Sequence, residues 1–187
     1  MITPSLRHDV FKSRFFMERE DHTRLVEELV QHLEEAPAEP WDGVRVILTG
    51  ITCEPVELLE IMEGLNIAVA GDDLAQESRQ IRTLVPESGE PALMRLARMW
   101  QNIEGCSLAG DVKKYHGPML IKMLQDSKAD AVIVCMMKFC DPEEFDYGVY
   151  NTQFARAGVR HVMIDIDQEV SGFEQIRTRL QSFVEMQ

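Results

Sequence analysis

The chain is short of positive charge. Its 19 lysines and arginines face 32 aspartates and glutamates, for a formal charge of −13. Nucleic-acid backbones and anionic lipid both select clustered Lys and Arg, so neither is an expected partner. No stretch is apolar enough and long enough to cross a bilayer. The N-terminus lacks the basic, apolar and small-residue order of a signal peptide, so a soluble, cytoplasmic protein is expected. The four cysteines, Cys53, Cys106, Cys135 and Cys140, are unevenly spaced and include no CxxC pair. With no export signal, that spacing argues against a disulfide framework, a zinc ribbon and a thioredoxin-type site. GxGxxG, P-loop, HExxH and GxSxG motifs are also missing, which disfavours NAD or FAD binding. A cobalamin- or flavin-type module is disfavoured too, for want of a phosphate loop and of a DxHxxG signature.

What the chain does have is the means to bury a core. It runs to 187 residues with 45% apolar content, suited to one compact domain. Residues 1–40 read as a helical lead-in. The first part, "MITPSLRHDVFKSRFFMERE", has no clear period. From His22 onward Leu25, Leu29 and Leu33 recur at helical spacing beside Val26 and Val30. "APAEPWDG" then makes a connector.

Residues 41–187 read as an α/β domain in which strands and helices alternate. "VRVILTG" is a strand and "CEPVELLEIMEGL" a helix, followed by a second strand in "NIAVAG". "EPALMRLARMWQNI" places Leu93, Leu96, Ala97, Trp100 and Ile103 in a helical stripe. "CSLAG" reads as a weak strand, "GPMLIKMLQDSK" as a helix, and "ADAVIVCM" as the strongest strand of the chain. "DPEEFDYGVYNTQFARAG" is helical again and "VRHVMIDI" is another strand. "SGFEQIRTRLQSFVEM" closes as a helix, with Ser171 and Glu174 in capping-box spacing. Such alternation predicts an open, mostly parallel sheet of four or five strands with helices on both faces, Rossmann- or flavodoxin-like. In these sheets ligands gather beyond the carboxyl ends of the strands, near the point where strand order reverses.

That rule singles out Cys140, just past the strongest strand in "MKFCDPEEFDY". Asp141 suits an N-cap, Pro142 the first helical position and Glu144 the third residue after the cap. The positive end of a helix favours an anion, a thiolate included, and N–H groups aimed at sulfur tune iron–sulfur clusters. On residues alone, Cys140 is either a ligand-holding thiol or an ordinary turn cysteine. Cys53 follows the first strand; if that strand neighbours the one before Cys140, both thiols open onto one crevice. The alternative is a helix-start residue in a tight loop. Cys135 reads as core, and Cys106, in an irregular segment, as either core or surface. Asp72 and Asp73 end the second strand about twenty residues after Gly50, where dinucleotide folds keep a ribose-binding acid. Without the glycine-rich loop, a polar strand cap is the expected role. His116 and His161 read as structural, and Met136 and Met137 as a cavity wall or ordinary core.

Taken in order, these segments resemble the C-terminal half of a subunit of the 2-hydroxyglutaryl-CoA (2-hydroxyacyl-CoA) dehydratase and benzoyl-CoA reductase family. The matching stretches are "RVILTGITCEP", "VAGDDL", "KADAVIVCMMKFCDPEEFDY", "AGVRHVMIDIDQE" and "RTRLQSFVE", with "KFCDPEEFDY" the most specific. The resemblance implies an iron–sulfur subunit, usually with a [4Fe–4S] cluster, paired with a related second subunit. It implies an ATP-hydrolysing iron–sulfur activator that delivers one electron at very low potential. An acyl-CoA thioester then becomes a ketyl radical anion that loses a hydroxyl as water, or, on an aromatic ring, goes on to a reduced diene. Cys140 carries over as a cluster ligand by its motif; Cys53 has no such match. Most cluster cysteines of the family lie in an N-terminal half that this chain does not contain. The expectation is therefore a part that neither completes a cluster nor turns over substrate alone. A shortened, noncatalytic partner or scaffold subunit is the alternative.

Overall fold

The computed structural model of the chain describes residues 2–37, 40–167 and 172–186. Strands β1 (Val44–Gly50), β2 (Ile67–Leu74), β3 (Ala131–Met137) and β4 (His161–Ile166) form a sheet in the order β2-β1-β3-β4. Every neighbouring pair is parallel. Helices α1 (Pro4–Ser13), α2 (Arg19–Glu35), α3 (Val56–Gly64), α4 (Ala92–Gln101), α5 (His116–Asp126), α6 (Asp141–Ala157) and α7 (Glu174–Glu185) surround the sheet, with short 3₁₀ turns at Ser78–Gln80 and Ser107–Ala109. The expected open parallel α/β sheet is the observed one. "CSLAG" adds no strand to it: Ser107–Ala109 is a 3₁₀ turn, set between Gly105 and Gly110, whose positive φ of 60° and 76° breaks the extended backbone. The Ser171 cap lies outside the described residues.

β3 is a continuous apolar run because both of its faces are covered. Ala131, Ile133 and Cys135 join Leu58, Leu59 and Met62 of α3 and Leu180 and Phe183 of α7 on one side. Val132, Val134 and Met136 alternate to the other side, against Leu120 of α5 and Tyr150 and Phe154 of α6. Among the described residues, no helix is long and apolar enough to cross a membrane.

Two backbone details set the stage for the site. At the end of β1, Gly50 has φ of 132°, and a side chain there would sit 2.1 Å from the Cys135 carbonyl oxygen. Only glycine lets β1 and β3 close up at the reversal point of the strand order. In β2, Val46 pairs with Val69 but Ile47 pairs with Gly71, so Ala70 is an extra residue in the ladder. The slip matches Asp73 with Thr49 and Asp72 with Leu48, and so decides which of the two aspartates takes which face.

α1, which no apolar period announces, begins at Pro4 with the Thr3 hydroxyl accepting the Leu6 N–H at 3.2 Å. Charge docks it. Arg7 pairs with Asp72 and, at 2.7 Å, with Glu77; His8 Nδ1 meets Glu77 at 2.7 Å, and Lys12 reaches Glu54 at 2.6 Å.

Candidate functional site

β3 delivers the chain to the carboxyl edge of the sheet, and a tight turn hands it to α6. The Cys140 N–H donates to the Met137 carbonyl at 3.2 Å, closing a turn in which Phe139 takes a positive φ of 64°. The Lys138 N–H donates to the Ile166 carbonyl at 3.0 Å, and its ammonium meets Asp167 at 3.0 Å, which pins the turn to the end of β4. The Cys140 carbonyl accepts the Glu144 N–H at 3.0 Å, so the helical ladder starts one residue earlier than the sequence suggests. Cys140 itself is the cap of α6, with Asp141 and Pro142 as its first two residues and no side chain capping. The expected Asp141 cap is corrected accordingly. Cys140 is half-buried at the start of a 17-residue helix, whereas Cys53, Cys106 and Cys135 are all buried.

β1 and β3 are neighbours, as the crevice reading required. Cys53 nevertheless turns away from any crevice: it is fully buried in the α3–α7 core and partners Cys135. That hydrogen bond, and then burial, push the Cys53 thiol well above the usual cysteine range. Cys135 is core, as expected. Cys106 is nearly buried, with its sulfur 3.8 Å from a guanidinium nitrogen of Arg79.

Beneath the Cys140 turn lies a buried polar network that no motif announced. Its hub is Asp73. One carboxylate oxygen takes Arg79 at 2.9 Å, His116 Nε2 at 2.9 Å and the Thr49 hydroxyl at 3.4 Å; the other pairs with Arg82. Arg79 also donates to the Asp73 and Gly50 carbonyls and reaches Glu143 at 2.8 Å. Ser107 donates to the same Glu143 oxygen at 2.6 Å. On its far side, His116 Nδ1 lies 2.8 Å from Asp146, which Lys114 approaches at 3.2 Å. His116 thus sits between two buried carboxylates, with one ring nitrogen turned to each. Burial pushes the Asp146 carboxyl up, but the hydrogen bond and charge of His116, followed by those of Lys114, outweigh it and hold the group below the usual aspartate range. The structural role expected of His116 fits this placement, and His161 is half-buried at the start of β4. Asp72 and Asp73 do more than cap a strand: one anchors α1 and the other organises the network.

Beside the network, Arg79 and Cys106 floor a cavity of about 620 Å³ walled by Met99, Trp100, Ile103 and Leu108. The helical stripe expected for α4 is present but faces outward. No α4 residue is buried, and Leu93 and Trp100 are 77% and 66% exposed.

A parallel sheet with a reversal point, a half-buried thiol at a helix start beyond it and a buried ionic network below make a holding site. A family model described as 2-hydroxyglutaryl-CoA dehydratase, D-component, matches residues 1–187. The chain belongs to that family. Among curated relatives of this dehydratase D-component family, the chain is 56% identical over 180 residues to a protein named lactoyl-CoA dehydratase subunit beta from Anaerotignum propionicum, covering 96% of this chain and 48% of that protein. It is 43% identical over 185 residues to an (R)-phenyllactyl-CoA dehydratase beta subunit from Clostridium sporogenes, covering 99% and 49%. It is 32% identical over 188 residues to the (R)-2-hydroxyglutaryl-CoA dehydratase subunit beta of Acidaminococcus fermentans, covering 99% and 50%. The chain spans about half the length of these dehydratase subunits.

Proposed function

We propose that this chain is the C-terminal domain of an iron–sulfur subunit of a 2-hydroxyacyl-CoA dehydratase, and that Cys140 gives one thiolate to a [4Fe–4S] cluster of the assembled enzyme. The observation that carries this reading is the placement of Cys140. It is the one cysteine not buried, and it caps α6 at the carboxyl edge of neighbouring strands β1 and β3. A thiol there is half-buried with the positive end of a helix behind it, which favours the thiolate that a cluster ligand must be.

Cys140 fits one ligand position. Among the described residues, no group of three or more His, Cys, Asp and Glu side chains converges as a metal site. The remaining ligands are proposed to come from the polypeptide matching the other half of the relatives and from no residue of this chain, Cys53 included. When bound, the cluster supplies one-electron transfer to the thioester. This chain holds the Cys140 turn in place, with the exposed ring of Phe139 within it. The proposed partners are a related second subunit, an ATP-dependent iron–sulfur activator and a 2-hydroxyacyl-CoA thioester. Water loss is favoured over aromatic ring reduction because the relatives compared above are named dehydratases.

The test is anaerobic iron–sulfide reconstitution of the chain alone and assembled with its proposed partner polypeptides, reading iron, acid-labile sulfide and the EPR of the reduced cluster. The chain alone is expected to hold little cluster. The assembly should hold a full one, and Cys140→Ala should lose or alter it. A stoichiometric cluster that survives Cys140→Ala with an unchanged spectrum would overturn the assignment.

A further inference from the structure

We propose that Arg79 and His116 are positioning residues for the Cys140 turn, each bridging Asp73 at the end of β2 to a carboxylate in the opening turns of α6. The inference rests on the reading of Cys140 above for its purpose, but not for its geometry.

The buried face of α6 carries the argument. Its buried residues are Glu143, Asp146, Tyr150 and Phe154, spaced as one helical stripe. The rear half of the stripe is aromatic and packs on β3 and α5. The front half, nearest Cys140, is two carboxylates. A helix needing only to stay attached would continue the apolar stripe, since well-packed apolar groups stabilise at least as well as a buried ion pair. An ion pair instead fixes distance and direction. Glu143 and Asp146 follow Cys140 by three and six positions, so holding both fixes the axis and the rotation of the first turns.

The fasteners converge on one point. Arg79 Nη1 holds Glu143 at 2.8 Å, while its other donors reach Asp73 and the Gly50 carbonyl. One planar guanidinium therefore ties the ends of β1 and β2 to the start of α6. His116 makes the parallel bridge, 2.9 Å to Asp73 and 2.8 Å to Asp146. Both are buried, at 4% and 1% exposure, so neither bridge is loosened by water. The Lys138–Asp167 pair, which also fastens the turn, is more exposed and weak by comparison.

The experiment is run on the cluster-free chain, so its outcome is separate from that of the ligand assignment. A nitroxide is attached at Cys140, the accessible thiol, and its EPR line shape is read well below the melting temperature. In the wild-type chain, the label should report a restrained turn. Arg79→Lys and His116→Gln should narrow the spectrum, and the hydrogen-bonded amides of Cys140 and Glu144 should exchange faster by about tenfold, as ~1.4 kcal/mol of easier local opening produces. Ser107→Ala, which removes only the 2.6 Å bond to Glu143, should do so to a smaller degree and decides the matter if the buried variants do not fold. Phe183→Leu, in the core on the opposite face, should lower the melting temperature without touching the label. The proposal is overturned if the folded network variants keep the wild-type spectrum, or if Phe183→Leu narrows it equally.

Discussion

Phe139 is held in the left-handed region at φ 64° with 92% of its surface exposed. The turn it occupies favours glycine at such a position. A non-glycine residue there costs about 1–2 kcal/mol, and an exposed ring recovers almost none of it within the chain. Phe139→Gly is therefore expected to stabilise the isolated chain, by about 0.5–1 kcal/mol once the freedom of glycine in the unfolded state is subtracted. A urea titration measures it; an unchanged or lower midpoint would show that the turn is unstrained. The cysteines show how differently one residue type is spent. Cys53 and Cys135 face each other in the core, Cys106 rests beside Arg79, and only Cys140 meets solvent.

At the scale of elements, two kinds of attachment coexist. α3 and α7 are held by apolar packing, whereas α1 and the front of α6 are held by charge. Glu77, 2% exposed, is the anchor of α1, since both Arg7 and His8 close on it. Glu77→Ala should cost about 1–3 kcal/mol, the penalty of stranding buried donors. It should also speed exchange of the α1 amides from Arg7 onward while sparing β3; uniform protection in the variant would refute the anchor. The same division explains what could be read from the sequence. β1, β3 and α3 stood out because apolar burial writes a period into the chain. α1 did not, because its inward face is Pro4, Arg7, His8 and Lys12, which no apolar pattern reveals. The network stayed hidden for two reasons. Its members come from six separate segments, and the extra residue Ala70 inverts the alternation that would have assigned Asp72 and Asp73 to their faces. "KFCDPEE" was legible as a helix start because capping chemistry is local. Glu143 and Asp146 drew no reading of their own, because their buried partners lie far away in sequence.

At the scale of the molecule, the sheet has one face closed by hydrocarbon and another closed partly by ion pairs, so the two should fail under different conditions. Asp146 is held below the usual aspartate range by His116 and Lys114. Its contribution is present above the ordinary aspartate pKa of about 4 and is lost as pH falls through the lower folded value. Acid should therefore release the α5–α6 side while the α3–α7 side persists. The chain carries its own indicator of this. All three tyrosines, Tyr115, Tyr147 and Tyr150, belong to the start of α5 and to α6. Near-ultraviolet tyrosine dichroism should fade below about pH 4 before the far-ultraviolet helix and sheet signal does. Coincident loss of the two signals would mean that both faces let go together. If they separate, the buried acids that steady the Cys140 turn also divide the molecule into an acid-sensitive half and an acid-tolerant one.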